Sequence, residues 1–422
     1  MDKNLLREIV LEQQNIIASI NTGTQREALD DIRKYLTLPH TIVISGIRRS
    51  GKSTLLQQAI KKFYGNDVYY ISFEDERLLK FGYQDFNSLY EVFMELMGEK
   101  SVFFFDEIQN VDKWESFVRR MQDAGNKFFI TGSNASLLSR ELGTKLTGRY
   151  VNISLFPFSF KEFLHFKKQN ITADTLSVTK GRSLAKRMFN EYMEYGGMPE
   201  YLRYGEPVLL KRTYEDILYR DIAVRHEIKA VRELRELALY FMSNPGCTFS
   251  YNNLKNMLQL GSVNTVKSYT DYLKDSFLLF TTNAFSFSLK KQFTSQKKTY
   301  CIDNGIINSV SFRFSKNKGR FLENMVFVEL QRRYNDVYYY KTQKGREIDF
   351  LVRRDKKDIL LIQVTESLSD RKVRQRETDS LLAGMKELNV KKSLILTADE
   401  EETIRSKERI INVVPAYKWF IA

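Results

Sequence analysis

The chain has 422 residues, of which 43% are hydrophobic and 13% are aromatic. This length predicts two to four domains, and the composition is sufficient for packed cores and excludes a wholly disordered chain. There are two cysteines and three histidines, and none of them has metal-type spacing. A zinc site is therefore excluded as an organising feature.

The formal net charge is +14. This excess suits a nucleic acid or another anionic partner, and it also suits a generic basic surface. Only clustering of the cations distinguishes the two. The scarcity of cysteine fits a reducing compartment. The sequence has no apolar run of about 18 residues, and its start lacks the apolar core of a secretory signal. We therefore expect a cytoplasmic protein with no membrane partner.

Residues 1–40 carry apolar side chains at helical spacing, which predicts a helical segment leading into the first strand. The β-branched run Thr41–Ile44 predicts a buried strand, and a helical pattern begins again at Thr54. Between them lies Gly46-x-x-x-x-Gly51-Lys52-Ser53, a complete phosphate-binding loop in the strand–loop–helix context that the motif requires. A chance turn before a helix is the alternative.

The residue types of this loop suit nucleotide phosphates. The two glycines allow backbone N–H groups to turn toward phosphate oxygens, and the helix N-terminus adds partial positive charge. Lys52 is expected to reach the β- and γ-phosphates, and Ser53 is expected to ligate Mg²⁺. The candidate nucleotide-binding residues are Gly46, Arg48, Arg49, Ser50, Gly51, Lys52, Ser53 and Thr54.

Strands and helices alternate from the loop to about residue 155. The predicted strands Val68–Phe73, Ser101–Phe105 and Lys127–Thr131 are near-continuous apolar runs. Amphipathic helices at Phe86–Met97 and Trp114–Asp123 separate them. Buried strands separated by helices predict a parallel sheet that is covered on both faces.

Polar residues end two of these strands. After the third strand, Asp106 would hold Mg²⁺ and Glu107 would polarise the attacking water. The alternative is an acidic pair that caps a helix. After the next strand, Ser133 and Asn134 are candidates for contact with the γ-phosphate or the water, because ligands bind at this edge of open α/β sheets. A polar turn is an equally good interpretation of them.

Two arginines follow in residues 137–150. A guanidinium that stabilises the charge of a transferring phosphoryl group is a recurring part of such sites. Arg149, directly behind Gly148, is the preferred candidate for this arginine finger. For Arg140 a surface position or a carboxylate partner is at least as good an interpretation.

A family resemblance rests on several motifs: Gly46–Thr54, Phe103–Gln109, Ile130–Asn134, Leu146–Arg149 and Leu155–Phe163. Together they resemble the AAA-type ATPases of bacteria and archaea that carry a nuclease-like C-terminal domain. Tyr195–Tyr201 and Tyr219–Ile222 resemble the lid and linking region of that family. The resemblance covers nearly the whole chain and implies ATP rather than GTP. In agreement, the sequence has no Asn-Lys-x-Asp guanine-reading element.

Residues 161–240 predict helices, which would form the lid and its continuation. A smaller unit follows with a helix at Ser250–Leu258, a second helix at Ser262–Leu273 and a strand at Phe277–Thr282. This succession is typical of a winged helix, which we assign to residues 241–312. Its second helix would offer Asn264, Lys267 and Ser268 to DNA. Packing against protein is the favoured alternative, because this face carries few cations.

The last part resembles the PD-(D/E)xK nuclease fold, with a helix at Arg320–Leu330 and three strands, Asp336–Lys341, Glu347–Val352 and Ile359–Val364. The resemblance implies that Glu323, Asp349 and Gln363 stand where that fold gathers Mg²⁺ and activates water. An amide replaces the second carboxylate at Gln363, and the third strand lacks the lysine. We therefore expect a vestigial nuclease site with a structural or binding role. Lys341, on a neighbouring strand, is the candidate to replace the missing lysine.

The expected fold is α/β: a P-loop NTPase with an AAA-like parallel sheet, a helical lid, a winged helix and a restriction-endonuclease-like α/β domain. The predicted domains are residues 1–160, 161–240, 241–312 and 313–422. The leading hypothesis is Mg²⁺-dependent ATP binding and hydrolysis, coupled to a DNA or protein partner, with a homo-oligomer as a further expectation. The alternatives are a nucleotide-dependent switch or scaffold with little turnover, and a Mg²⁺-dependent DNA nuclease. Arg149 would act on its own nucleotide or on that of a neighbouring copy.

Overall fold

The computed structural model describes residues 1–65, 67–133, 148–311, 318–355 and 358–422. The chain forms two compact units, Met1–Phe156 with Asp275–Phe277, and Pro157–Lys274 with Leu278–Ala422. Of the described helices, none is long and apolar enough to cross a membrane. The predicted domain boundaries near residues 240 and 312 lie inside the second unit and stay predictions.

A five-stranded sheet in the order β2-β3-β4-β1-β5 forms the centre of the first unit, and every neighbouring pair is parallel. The predicted parallel sheet is therefore confirmed. One strand at its edge was not predicted, because its sequence alternates apolar and polar residues only briefly and is half-exposed. The strands are β1 (Thr41–Ser45), β2 (Tyr69–Ser72), β3 (Val102–Asp106), β4 (Lys127–Gly132) and β5 (Tyr150–Ser154).

Helices cover both faces of this sheet, because successive residues of a strand point to opposite faces. Phe103 stacks on Phe128 on one face, with ring centroids 4.7 Å apart, and Phe104 stacks on Phe129 on the other, at 4.4 Å. The first face packs against α1, α4 and α5, and the second against α2 and α3. The helices are α1 (Lys3–Ser19), α2 (Ala28–Lys34), α3 (Lys52–Ala59), α4 (Phe86–Met97) and α5 (Trp114–Asp123).

The first forty residues form two helices, α1 and α2, where the sequence predicted one helical segment. The break between them contains Gly23, whose φ is 61°. Glycine adopts this left-handed conformation readily because it has no side chain. Short helical turns complete the unit. They are a π-helical turn at Ile60–Tyr64 and 3₁₀ turns at Glu76–Leu78, Tyr83–Asp85 and Ile108–Asn110.

The second unit begins with helices, as predicted for residues 161–240. A π-helical stretch, Ile217–Val224, continues the fifth of them. The helices are α6 (Phe160–Phe166), α7 (Ala173–Ser177), α8 (Thr179–Tyr195), α9 (Pro199–Tyr204), α10 (Pro207–Asp216) and α11 (Val231–Ser243).

A three-stranded antiparallel sheet in the order β6-β8-β7 follows. Two helices precede its second strand, and a short helix lies between its second and third strands. The elements are β6 (Thr248–Phe249), α12 (Tyr251–Met257), α13 (Val263–Asp275), β7 (Leu279–Asn283), α14 (Leu289–Thr294), β8 (Lys297–Cys301) and α15 (Asn304–Val310). We keep the winged helix as an interpretation of this arrangement.

The last part of the chain forms a mixed six-stranded sheet in the order β13-β14-β12-β11-β10-β9. A core of apolar side chains, among them Leu351, Leu361, Leu381 and Ile395, lies between this sheet and its long helix α17. The elements are α16 (Lys318–Arg333), β9 (Val337–Lys341), β10 (Glu347–Arg353), β11 (Ile359–Val364), α17 (Arg371–Glu387), β12 (Lys392–Thr397), β13 (Glu402–Ser406), β14 (Arg409–Pro415) and α18 (Ala416–Ile421).

Candidate functional site

Three predicted site segments meet at one edge of the five-stranded sheet. The phosphate-binding loop follows β1, the pair Asp106–Glu107 ends β3, and Thr131–Ser133 ends β4. These strands are parallel neighbours in the order β3-β4-β1, so their carboxyl ends lie side by side. This is the edge of an open α/β sheet at which ligands bind.

The loop has the backbone that its glycines predict. Gly51 has a φ of 92° and directly precedes α3, whose first turn is Lys52, Ser53 and Thr54. Gly46 needs to be glycine for a different reason: a Cβ atom there would lie 2.2 Å from the carbonyl oxygen of Leu155. The loop therefore packs directly against the backbone that follows β5.

Arg26, in the segment between α1 and α2, is a further buried contact of the loop. Its side chain is 2% exposed. It donates hydrogen bonds to the carbonyl oxygens of Ser50, at 2.7 Å, and Phe156, at 2.6 Å. The guanidinium thus joins the phosphate-binding loop to the backbone that follows β5.

Lys52 is buried at the centre of the site. Its ammonium lies 3.4 Å from the carbonyl oxygens of Gly46 and Ile47, and 3.4 Å from Glu107 Oε1. These separations exceed the usual 2.7–2.9 Å of a charge-assisted hydrogen bond. The ammonium is therefore held in the site by long contacts and is available to a stronger anionic partner.

Asp106 is buried and hydrogen-bonded to the hydroxyls of Thr131 and Ser53, and the Tyr70 hydroxyl also donates to its Oδ2 at 3.5 Å. Thr131 donates to Asp106 Oδ1, and Ser53 is hydrogen-bonded to the same carboxylate. Burial, together with the neighbouring charge of Glu107, raises the pKa of Asp106 to about 6, although the first two hydroxyls and Lys52 oppose this shift. The predicted Mg²⁺ ligands Ser53 and Asp106 are thus in direct contact.

Glu107 has an unusual backbone for a glutamate, with a φ of 50° and a ψ of 45°. Its N–H donates to Thr131 Oγ1 at 2.8 Å, which stabilises this left-handed conformation. Burial acts to raise the pKa of Glu107, but Lys52, Gln109 and Arg48 outweigh it, and the pKa is lowered. Glu107 is therefore an ionised carboxylate whose direction is set by strained backbone.

Other predicted residues of the loop lie around this centre. Arg48 and Arg49 are half-buried, and Arg49 has a positive φ of 64°. Ser50 is fully buried. Ser133 is buried directly behind β4, whereas Asn134 and Arg140 lie outside the described residues. At the end of β4 it is Thr131, not Ser133, that the structure joins to Asp106.

Arg149 lies at the opposite edge of the sheet. It directly precedes β5, and Tyr150 pairs with Thr41, the first residue of β1. The phosphate-binding loop follows the last residue of β1, so about 16 Å of strand separates the two. The Arg149 guanidinium pairs with Asp123. In this conformation Arg149 therefore lies away from the phosphate-binding loop of its own chain, and its role as an arginine finger stays a prediction.

A second polar cluster lies in the second unit, and its centre is Lys298 of β8. The buried ammonium is 2.9 Å from Glu323, 3.0 Å from Glu347 and 3.3 Å from Asp349. Tyr300 also donates to Glu323 at 2.8 Å. The structure thus brings together two predicted residues of the nuclease-like site around a lysine that the pattern did not single out.

The same cluster includes the amide that replaces the second carboxylate. Gln363 Oε1 accepts a hydrogen bond from the backbone N–H of Asp349 at 3.3 Å. Burial, and then the charge of Asp349, raises the pKa of Glu323 to about 7. Lys341, the guessed substitute cation, is exposed and lies 3.7 Å from Glu347. Lys298 is therefore the lysine that lies among these carboxylates.

The chain was compared with known proteins. Residues 39–164 match the model of an AAA domain, and residues 186–317 and 318–419 each match a domain of unknown function. The uncharacterized protein MJ1544 of Methanocaldococcus jannaschii is 35% identical over 99% of this chain and 96% of its own length. The chain belongs to the family of MJ1544. An uncharacterized protein of Haemophilus influenzae is 34% identical over 88% of this chain and 92% of its own length.

Solved structures resemble this member of the MJ1544 family more distantly. The Walker-type ATPase of Pyrococcus abyssi has a TM-score of 0.42 and 16% identity, over 70% of this chain and 99% of that one. Cdc6p of Pyrobaculum aerophilum has a TM-score of 0.27 and 12% identity, over 74% of this chain and 98% of that one. The match of residues 39–164 to an AAA domain agrees with the P-loop and the parallel sheet of the first unit.

Three residues of this family member were missed by the sequence interpretation. The sequence interpretation gave Thr131 no role of its own and named it only as part of the strand. A hydroxyl at the end of one strand and an acidic pair at the end of another could have indicated that the two side chains meet. Arg26 and Lys298 carried no signal, because each makes its contacts with segments far away in the sequence. Only the tertiary structure brings them to their sites.

Proposed function

We propose that this protein binds and hydrolyses ATP in a Mg²⁺-dependent reaction. The observation that carries the proposal is the position of Lys52, whose buried ammonium lies 3.4 Å from Glu107 at the carboxyl edge of the sheet. A phosphate-binding lysine beside an ionised carboxylate is the minimum required to place a γ-phosphate next to an activated water. The match to an AAA domain supports ATP rather than GTP as the nucleotide.

The residues present fit a nucleotide with its metal ion. The buried Ser50 Oγ has no hydrogen-bond partner among the described residues, and it lies in the loop that would receive the phosphates. Ser53 and Asp106 would hold Mg²⁺, because hydroxyl and carboxylate oxygens are the ligands that this ion prefers. When bound, Mg²⁺ supplies positive charge that neutralises the phosphate oxygens.

The protein's own groups then have separate tasks. Lys52 exchanges its long contacts for the β- and γ-phosphate oxygens. Glu107 accepts a hydrogen bond from the attacking water. Because the pKa of Glu107 is lowered, the carboxylate takes the proton of the water only as the bond between water oxygen and phosphorus forms. Thr131 fixes the relative positions of Asp106 and Glu107, since its hydroxyl donates to the Asp106 carboxylate and accepts from the Glu107 N–H.

The first experiment measures phosphate release and ATP binding by purified variants. Glu107→Gln should keep nucleotide affinity and lose at least about 100-fold in turnover, because general-base catalysis contributes on that order. Lys52→Ala should lose both. Lys62→Ala, which removes an exposed lysine beyond α3, is the matched control and should behave as wild type. Wild-type turnover in Lys52→Ala would overturn the proposal.

We also propose that ATP hydrolysis is coupled to a nucleic-acid or protein partner through the second unit. The helices α12 and α13 with the sheet β6-β8-β7 support a winged-helix interpretation, and Asn264, Lys267 and Ser268 are exposed on α13. The sheet β9 to β11 with α16 supports a nuclease-like fold. Phosphate release with and without duplex DNA tests the coupling, and light scattering with ATP present tests for a homo-oligomer.

Two alternatives make different predictions in the same assays. A nucleotide-dependent switch or scaffold would bind ATP tightly, turn it over very slowly and ignore DNA. A Mg²⁺-dependent DNA nuclease would cut DNA, and Asp349→Ala would abolish the cleavage. The nuclease is the less well supported of the two, because Lys298 already pairs with Glu323 and Asp349 and an amide stands at Gln363.

A further inference from the structure

Two cation-rich segments, distant in sequence, contribute to one surface of the second unit. The segment Lys341–Arg346 contains three cations and no acid, and Arg371–Arg376 contains four cations and no acid. The first is the turn between β9 and β10, and the second is the start of α17. Every cation of both segments is exposed. Seven exposed cations are thus concentrated in two short segments, and clustering of cations is what a nucleic-acid footprint requires.

The two segments meet in a cleft of about 330 Å³. The cleft is lined by Arg346, Lys372, Gln375, Arg376, Asp379 and Ser380. Arg346 lies 3.4 Å from Asp379, and Arg376 pairs with Glu377, which is buried beneath the surface. Lys372 forms no ion pair with any residue that the structure describes. Three cations, Arg346, Lys372 and Arg376, stand against two carboxylates, Asp379 and the buried Glu377, so the cleft keeps one positive charge in excess.

The chemistry of the lining distinguishes among anionic partners. All six lining residues are polar, and arginine, lysine, glutamine and serine are the side chains that contact phosphate oxygens and sugars of nucleic acids. A protein partner would need an apolar or aromatic anchor at the centre of its interface, and a lipid surface would need apolar side chains to insert. The lining has neither.

We propose that this cleft binds the phosphodiester backbone of a nucleic acid. The inference deepens the proposed coupling to a nucleic-acid partner by naming the surface that binds it. It does not depend on ATP hydrolysis itself, because the cleft contains none of the residues of the nucleotide site. Binding here is by backbone charge, so it should show little dependence on base sequence and a strong dependence on salt.

The test uses the full chain and a fluorescently labelled 20-base-pair DNA duplex, followed by fluorescence anisotropy at several salt concentrations. Neutralisation of the cleft, Arg346→Gln with Lys372→Gln and Arg376→Gln, should weaken binding at least about tenfold. The slope of log K against log salt should become shallower by roughly 0.9 for each lost phosphate contact. Measured without ATP, Lys52→Ala should bind the duplex as wild type does, which separates this site from the proposed ATPase.

A matched control removes the same charge at the opposite edge of the same sheet. The control variant changes three exposed lysines near the start of β12: Lys391→Gln, Lys392→Gln and Lys407→Gln. The cleft, in contrast, lies where β11 ends and α17 begins. This variant should bind as wild type does. Equal losses in both triple variants would overturn the proposal, provided that both unfold at the wild-type temperature.

Three other results would also contradict the inference. One is no duplex binding by wild type at 50 mM salt, where backbone contacts are strong. The second is equal competition by polyglutamate at equal charge, which would indicate a generic polyanion surface. The third is that wild type binds phosphatidylserine vesicles and the cleft variant does not, while the cleft variant still binds the duplex as wild type does. Single-stranded DNA and RNA of the same length then identify which nucleic acid is preferred.

Discussion

The Thr131 hydroxyl donates a hydrogen bond to the buried Asp106 carboxylate. The two residues end neighbouring parallel strands, β4 and β3, so the bond joins two strand ends at the edge where the phosphate-binding loop lies. The same hydroxyl accepts the N–H of Glu107 at 2.8 Å. One small side chain thereby orients both acidic residues of the proposed hydrolytic site.

Thr131→Val should therefore reduce turnover more than nucleotide affinity. Valine keeps the shape and removes the hydroxyl, so Asp106 and Glu107 lose the group that orients them. We expect kcat to fall at least about tenfold, while the Kd of ATP changes less than about threefold, since positioning contributes mainly to the chemical step. Thr131→Ser restores the hydroxyl and should recover most of kcat. Equal loss in both variants would show that packing, not the hydroxyl, matters.

Gly46→Ala should impair both folding and nucleotide binding. The added Cβ would lie 2.2 Å from the Leu155 carbonyl oxygen, and neither backbone segment can move freely. Overpacking of this kind costs about 1–3 kcal/mol in the free energy of unfolding. Gly82→Ala is the control in the same unit, because its Cβ would make only an ordinary contact at 4.0 Å. Urea denaturation and ATP titration of both variants check the expectation.

Arg149→Ala distinguishes an action on a neighbouring copy from a structural role. Since Arg149 lies at the far edge of its own sheet, a direct catalytic role requires a second chain. If Arg149 acts on the nucleotide of a neighbouring chain, turnover per chain should rise with protein concentration in wild type. In Arg149→Ala, turnover per chain should not depend on protein concentration. Asp123→Ala removes the ion-pair partner and serves as the control. Identical concentration profiles in all three proteins would exclude Arg149 as an arginine finger.

Lys298→Met should destabilise the second unit strongly. Methionine keeps the length of the side chain and removes the ammonium that pairs with Glu323, Glu347 and Asp349. Loss of one partner of a buried pair costs about 3–5 kcal/mol, because charges are left unpaired in the interior. Lys297→Met, one residue earlier in β8 and half-exposed, should cost less than about 1 kcal/mol. A similar effect of both changes on urea denaturation would contradict the assignment of Lys298.

Asp303 should make stability fall as the pH rises. It caps α15, accepts from the N–H of Gly197 at 2.6 Å, and burial raises its pKa from 3.8 to about 6. Between pH 3.8 and 6 the folded state therefore binds the proton more tightly than the unfolded state. The stability of wild type relative to Asp303→Asn should shrink by up to about 3 kcal/mol as the pH rises from 4 to 7. Asp271→Asn, at an exposed acid, should show no such trend.

The geometry of the proposed nucleotide site was largely predictable because its signals are local. The strand Thr41–Ser45, the two glycines and Lys52 are consecutive in sequence, and a chain with these residues folds into one loop geometry. Asp106 and Glu107 were also predictable, since an acidic pair that ends a buried apolar run is rare. Parallel strand ends meet at one edge of a sheet, so the convergence followed from the strands alone.

The position of Arg149 was not predictable. The sequence shows an arginine behind a glycine, but β5 was not recognised as a strand, and the direction of that strand decides which edge of the sheet Arg149 occupies. A residue before a parallel strand and a residue after one lie on opposite edges. The edge on which Arg149 lies was therefore hidden by one strand that the sequence did not reveal, and not by the chemistry of the arginine.

By itself, the sequence determined the phosphate-binding loop, the acidic pair at the end of β3 and the parallel α/β architecture, because each depends on residues that are neighbours in the chain. Only the tertiary structure decided that Thr131 joins Asp106 to Glu107, that Lys298 lies among the carboxylates of the second unit, and that two cationic segments line one cleft. Those contacts join residues that are 24 to 51 positions apart in the sequence, and only the packing of strands and helices brings such residues together.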